Sequence, residues 1–122
     1  MRKYFALCAL LALLVPTQVL ADAKVIEAKL GKRIVDRTIA DETTTFSPGD
    51  KAFLWLKVED AVGDALTVTW KINDQAYPAT LTIGGSPWRT WSNKTLHIAG
   101  EWTVTVTDAA GAILSETRLT VK

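Results

Sequence analysis

From residue 24 onward, apolar side chains return at every second position, and turn-forming residues break the pattern about every 8 to 12 residues. In ALTVTWKI (65–72), Leu66, Val68, Trp70 and Ile72 point one way while Thr67, Thr69 and Lys71 point the other. EWTVTVT (101–107) sets Trp102, Val104 and Val106 on one face, and YPATLTI (77–83) does the same with Ala79, Leu81 and Ile83. KAFLWLKV (51–58) is apolar on both faces, which suits a strand in the middle of a sheet. Turns are signalled at Asn73-Asp74, at Gly84-Gly85-Ser86-Pro87, at Ala99-Gly100 and at Asp108 to Gly111. Lys24 to Leu30 reads as an extended piece with Ile26, Ala28 and Leu30 on one side, Lys32 to Ile39 as a second, weaker one, and DETTTFSPGD (41–50) as a connection.

A chain that alternates in this way, with no sustained helical period, predicts an all-β domain of seven to eight short strands. The matching architecture is an immunoglobulin-like antiparallel β-sandwich. Trp70 falls mid-strand on the third main strand, where such sandwiches keep a core tryptophan. The positions that could carry an inter-sheet disulfide are apolar here, with Leu54 or Leu56 facing Val104.

Residues 1–21 stand apart from this pattern. MRKYFALCALLALLVPTQVLA has a positive start at Arg2 and Lys3, an apolar run of about a dozen residues, and Val19-Leu20-Ala21 as a cleavage site. It is predicted to be a signal peptide, too short to span a bilayer comfortably. Cys8 lies within the apolar run, without a lipid-attachment motif, and reads as part of the leader. Removing 21 of 122 residues leaves 101, enough for one domain, residues 22–122. The whole chain has 14 basic and 13 acidic residues; without Arg2 and Lys3 the balance is 12 to 13, net −1. A near-neutral surface argues against nucleic acid and anionic membranes as partners, since both demand concentrated positive charge. The mature chain has no cysteine, so in an oxidising compartment its core alone must offset the ordering entropy.

SPWRTWSNKTLHIAGEW (86–102) holds three of the five tryptophans. On a regular strand Trp88 and Trp91 point to opposite faces, so the two cannot form one flat platform, while Arg89 shares the side of Trp91. Trp70, Trp88 and Trp102 are therefore expected in the core, and Arg89, Trp91 and Lys94 form the candidate binding surface.

The run WRTWSNKTL followed by GEWTVTVTDAAGAIL resembles a bacterial family known as domain of unknown function 2914. The matching positions are Trp88, Arg89, Ser92, Lys94, Gly100, Trp102 and Gly111, and the likeness extends over roughly residues 24 to 122. The resemblance implies a small immunoglobulin-like β domain and leaves the activity open. Members often carry a histidine just before the mid-strand tryptophan; Thr69 stands there in this chain, so no role for that histidine carries over.

No catalytic or metal constellation emerges from the residues. His97 is the only histidine, and it alternates to the face opposite Leu96 and Ile98. The carboxylates at Asp50, Asp60, Asp64, Asp74 and Asp108 are scattered singly on turns. Ser92 and Lys94 share a strand face, but a lysine base needs burial, and Asn93 and Thr95 suggest a hydrated edge instead. No enzyme, cofactor or metal site is expected. The reading is a periplasmic or secreted binding module whose partner is another extracytoplasmic protein or a glycan. A carbohydrate-binding accessory domain is the alternative, to be recognised by exposed aromatics on one face.

Overall fold

The computed structural model describes residues 23–122; the predicted leader and its cleavage at Asp22 lie outside the described residues. Among the described residues nine strands follow one another: β1 (Lys24–Val35), β2 (Thr38–Glu42), β3 (Thr45–Phe46), β4 (Asp50–Glu59), β5 (Ala65–Ile72), β6 (Gln75–Thr82), β7 (Trp88–Leu96), β8 (Gly100–Thr107) and β9 (Ile113–Val121). They form two sheets, of order β2-β1-β4-β7 and β3-β9-β8-β5-β6. The domain is an all-β sandwich.

Period-two alternation decides which side chains lie between the sheets. Leu54, Leu56 and Val58 of β4 meet Leu66, Val68 and Trp70 of β5 and Trp102, Val104 and Val106 of β8 in one core cluster. Trp70 and Trp102 are each 1% exposed, the two largest fully enclosed side chains.

The count of strands exceeds the seven or eight expected, and the additions come from segments with weak alternation. β3 arises within the stretch read as a connection. Only two residues long, it runs parallel to β9, with Thr45 opposite Thr120 and Phe46 opposite Val121. Phe46, 2% exposed, is driven inward by burial of its ring, and backbone bonds from Thr120 N to Thr44 O and from Lys122 N to Phe46 O, both 2.9 Å, hold the strand.

The second difference shapes the outer face. Lys32 to Ile39 is not one extended piece: it contains the two-residue turn Asp36-Arg37, with Val35 opposite Thr38. Both turn residues have positive φ, 52° and 61°, the pattern of a type I′ hairpin. β1 pairs with β4 only as far as Gly31 opposite Phe53, and with β2 from Gly31 onward. Six residues beyond Gly31, a straight strand would carry Arg37 about 20 Å past that point. Instead the Arg37 carbonyl accepts a 2.9 Å hydrogen bond from Trp55 Nε1, so the hairpin bends back over the outer face of its own sheet. Glycine at 31 makes the bend possible, because a Cβ there would lie 2.6 Å from Ile39 Cγ1 and 2.8 Å from the Ala40 carbonyl oxygen.

Candidate functional site

The bent hairpin and the sheet beneath it enclose a groove of about 540 Å³. Its floor comes from one row of the sheet, in which Glu27, Lys57 and Arg89 stand side by side across β1, β4 and β7. The next row is Lys29, Trp55 and Trp91. Arg37 and Thr38 form the roof, and Pro87 and Trp88 close one end. Trp55 points outward by alternation yet is 4% exposed, because the hairpin covers it. Its indole N–H is spent on the Arg37 carbonyl, so Trp55 acts as the post on which the hairpin tip rests.

Four cations line this space, Lys29, Arg37, Lys57 and Arg89, against a single carboxylate, Glu27. Lys29 lies 4.0 Å from Glu27 and 5.8 Å from the centre of the Trp55 ring. Arg37 sits 5.8 Å from the centre of the Trp88 ring, a cation–π distance. Among the described residues no carboxylate lies within 4.0 Å of Arg37, Lys57 or Arg89. Lys57 and Arg89 are direct cross-strand partners, and like charges placed so oppose folding. Arg37 also holds a left-handed backbone conformation, which costs a non-glycine residue on the order of 1–2 kcal/mol.

The hairpin that carries Arg37 is clipped along its length by Arg33, whose Nε donates to Asp41 Oδ2 at 2.7 Å. This hydrogen bond, followed by charge attraction, holds the Asp41 carboxyl below its ordinary range and raises Arg33.

The residues singled out from sequence divide between two faces. Arg89 lies in the groove, and Trp91 stands in the neighbouring row opposite Trp55, half-buried rather than freely exposed. Lys94 is not part of this surface. Five positions from Arg89, it alternates to the opposite side, where its Nζ lies 3.8 Å from the centre of the Tyr77 ring beside a shallower depression that includes His97. Trp88 is a correction to the expected core set. It packs against the cluster but remains half-buried, and its ring closes the end of the groove. Its ring lies against Gly84 and Gly85, where a Cβ would come within 3.1 and 2.9 Å of ring atoms, so these glycines do more than turn the chain. Ser92 is a second correction: it is 6% exposed, not a hydrated edge residue, and its Oγ accepts from Trp70 Nε1 at 3.4 Å.

Sequence reasoning missed Arg37, Lys57 and Trp55 as members of one site. The pairing of Lys57 with Arg89 follows from strand register, which the sequence does not display. Arg37 arrives through the bend at Gly31, for which the only local sign is a glycine inside an otherwise extended run. Among the described residues, no group of three or more His, Cys, Asp or Glu side chains is placed to hold a metal ion.

The sandwich is similar to part of a solved structure, the Pseudomonas fluorescens alkylpurine DNA glycosylase AlkC bound to DNA containing an abasic site analog. The TM-score is 0.51 at 12% sequence identity, over 84% of this chain and 31% of that one. The likeness is one of fold, and this chain spans about a third of the glycosylase's length. No curated protein matches the chain. Residues 64–121, from the approach to β5 through β9, match the protein family of unknown function DUF2914, and the matched stretch holds Trp88, Arg89, Ser92, Lys94, Gly100, Trp102 and Gly111.

Proposed function

We propose that the chain is an immunoglobulin-like, non-catalytic binding module of the periplasm or extracellular space, and that it takes its partner in the groove roofed by the β1–β2 hairpin. The strand orders support the immunoglobulin-like reading. A first sheet of β1-β4-β7 faces a second of β9-β8-β5, and a short parallel strand, β3, is added beside the last strand. The apolar leader with its Val-x-Ala site supports export.

The observation that carries the binding reading is the groove itself. It is concave, of small-molecule size, lined by three cations without carboxylate partners, and shaped by a hairpin fixed to a buried tryptophan. A flat aromatic plate of the kind that stacks on sugar rings has less support, since Trp55 is covered and Trp88 and Trp91 are half-buried. Serine-lysine chemistry also has little support, because Ser92 Oγ faces the Trp70 indole and Lys94 lies over Tyr77.

The test is affinity capture from periplasmic extract with residues 22–122 as bait, beside an Arg37→Ala/Arg89→Ala variant of unchanged melting curve. Material held by the parent and released by the variant is expected. Equal retention on both would put binding elsewhere on the surface.

A further inference from the structure

We infer that the groove recognises a phosphate-bearing ligand, a phosphomonoester or pyrophosphate group carried on a compact molecule. This rests on the groove being the binding site and adds the class of ligand that fits it.

Charge and size together lead to this class. Arg37, Lys57 and Arg89 face the same space without carboxylate partners among the described residues, and Lys29 shares Glu27. The lining therefore carries an excess of three positive charges, four cations against one acid. One carboxylate would neutralise a third of that excess. A phosphomonoester carries close to two negative charges above its second pKa of about 6, with three acceptor oxygens. Two guanidiniums supply the planar donor forks that match phosphate oxygens, and one comes from the roof and one from the floor. A volume of about 540 Å³ admits a phosphorylated sugar or a comparable unit, but not a folded polypeptide segment.

Two features of the site oppose folding, and a bound anion would account for both. Lys57 and Arg89 are directly opposed like charges, where an acidic or neutral residue at either position would stabilise the sheet. Arg37 occupies the second position of a type I′ turn with φ of 61°, where glycine fits without strain. An anion seated between roof and floor turns the Lys57–Arg89 repulsion into attraction and offsets the backbone cost of holding Arg37 at the hairpin tip.

The experiment titrates ¹⁵N-labelled residues 22–122 with glucose 6-phosphate, inorganic pyrophosphate, sodium sulfate and galacturonate, following amide shifts between pH 5 and pH 8. Shifts at Lys57, Arg89 and the hairpin tip are expected with the two phosphate compounds. Glucose 6-phosphate should bind more tightly as pH rises through about 6, where its dianion forms. The charged groups that face the groove are Glu27 and the four cations, and His97 lies beside the other depression, so this trend reports the ligand. Arg37→Gly and Arg89→Gln should each weaken binding about tenfold or more, while the melting temperature without ligand stays level or rises. Vesicles containing phosphatidic acid distinguish a lipid headgroup from a soluble source: co-sedimentation lost in Arg89→Gln assigns the phosphate to a lipid.

Galacturonate binding as tightly as glucose 6-phosphate, or affinity flat with pH, would overturn the phosphate assignment. If no phosphate compound moves groove amides while groove-dependent capture persists, the ligand class falls and the site stands. If phosphate binds equally to parent, Arg37→Gly and Arg89→Gln, the site itself is misplaced.

Discussion

Trp70 shows how one side chain can tie the two sheets together. Its ring lies between them at 1% exposure, and its indole N–H reaches across to Ser92 Oγ on β7. Trp70→Ala removes the largest piece of packing on β5 and should cost about 3–5 kcal/mol. Against a total stability of about 5–10 kcal/mol for a domain of this kind, a chemical denaturation curve should show the variant close to unfolding. Ser92→Ala is a milder change, leaving the indole donor unsatisfied at a cost of about 1 kcal/mol, since the 3.4 Å contact is long. The burial of Trp70 and Trp102 was legible from their phase with valine and isoleucine neighbours. The half-burial of Trp88 was not, because it stands at a strand end, where what lies beside the ring depends on Gly84, Gly85 and a hairpin more than 45 positions earlier in the chain. Ser92 was misread for a related reason: a polar residue between Trp91 and Asn93 looks hydrated until the opposing sheet brings an indole donor to it.

The β1–β2 hairpin is the element that makes the site, and its two controls can be tested separately. At Gly31 an added methyl would meet the Ile39 side chain and the Ala40 carbonyl. Gly31→Ala should destabilise the domain by about 1–3 kcal/mol through overpacking, and should release the hairpin from Trp55. Indole fluorescence shifted to the red before global unfolding would register that release. The Arg33–Asp41 clip adds a pH-dependent control. Because the carboxyl is held below its ordinary range, its contribution is present above the unfolded value and is lost as pH falls through the folded one. Asp41→Asn keeps a residue that tolerates the left-handed backbone at φ 55° while removing the charge. Its melting temperature should lie slightly below that of the parent at neutral pH, and the gap should close as the solution is acidified through and below the carboxylate range. None of this hairpin was visible in the alternation, since Asp36-Arg37 lacks the glycine that usually marks such a turn.

At the scale of the molecule, the stretch that matches the family is not a domain. Residues 64–121 supply β5, β6, β8 and β9 of one sheet but only β7 of the other, and β7 pairs with β4 alone. A fragment of residues 64–122 would expose the inner faces of β5 and β8, which Leu54, Leu56 and Val58 cover in the whole chain. Thermal and denaturant scans of that fragment should show no cooperative transition, whereas residues 22–122 should give one. The two-layer architecture was readable from alternation and turn spacing, because both sheets obey one period. Strand order, and with it the meeting of Lys57 and Arg89, was not, because register is decided by which apolar rows fit together across the core. If the charge-bounded apolar run and its Val-x-Ala site act as the proposed leader, mass spectrometry of secreted material should find a chain beginning at Asp22.

Lys24 pairs with Glu59 at one end of the ten-residue β4, while Phe46 and Val121 pair near its other end, at Asp50. Residues 24 and 121 thus sit at opposite poles of the sandwich, separated by about 30 Å of strand. A pull applied between them runs along the strand axes. It loads the antiparallel β1–β4 ladder and the short parallel β3–β9 clasp sideways, so that their hydrogen bonds share the force instead of parting one after another. Under such a load the first part to yield would be the clasp, which hangs on the bonds donated by Thr120 and Lys122.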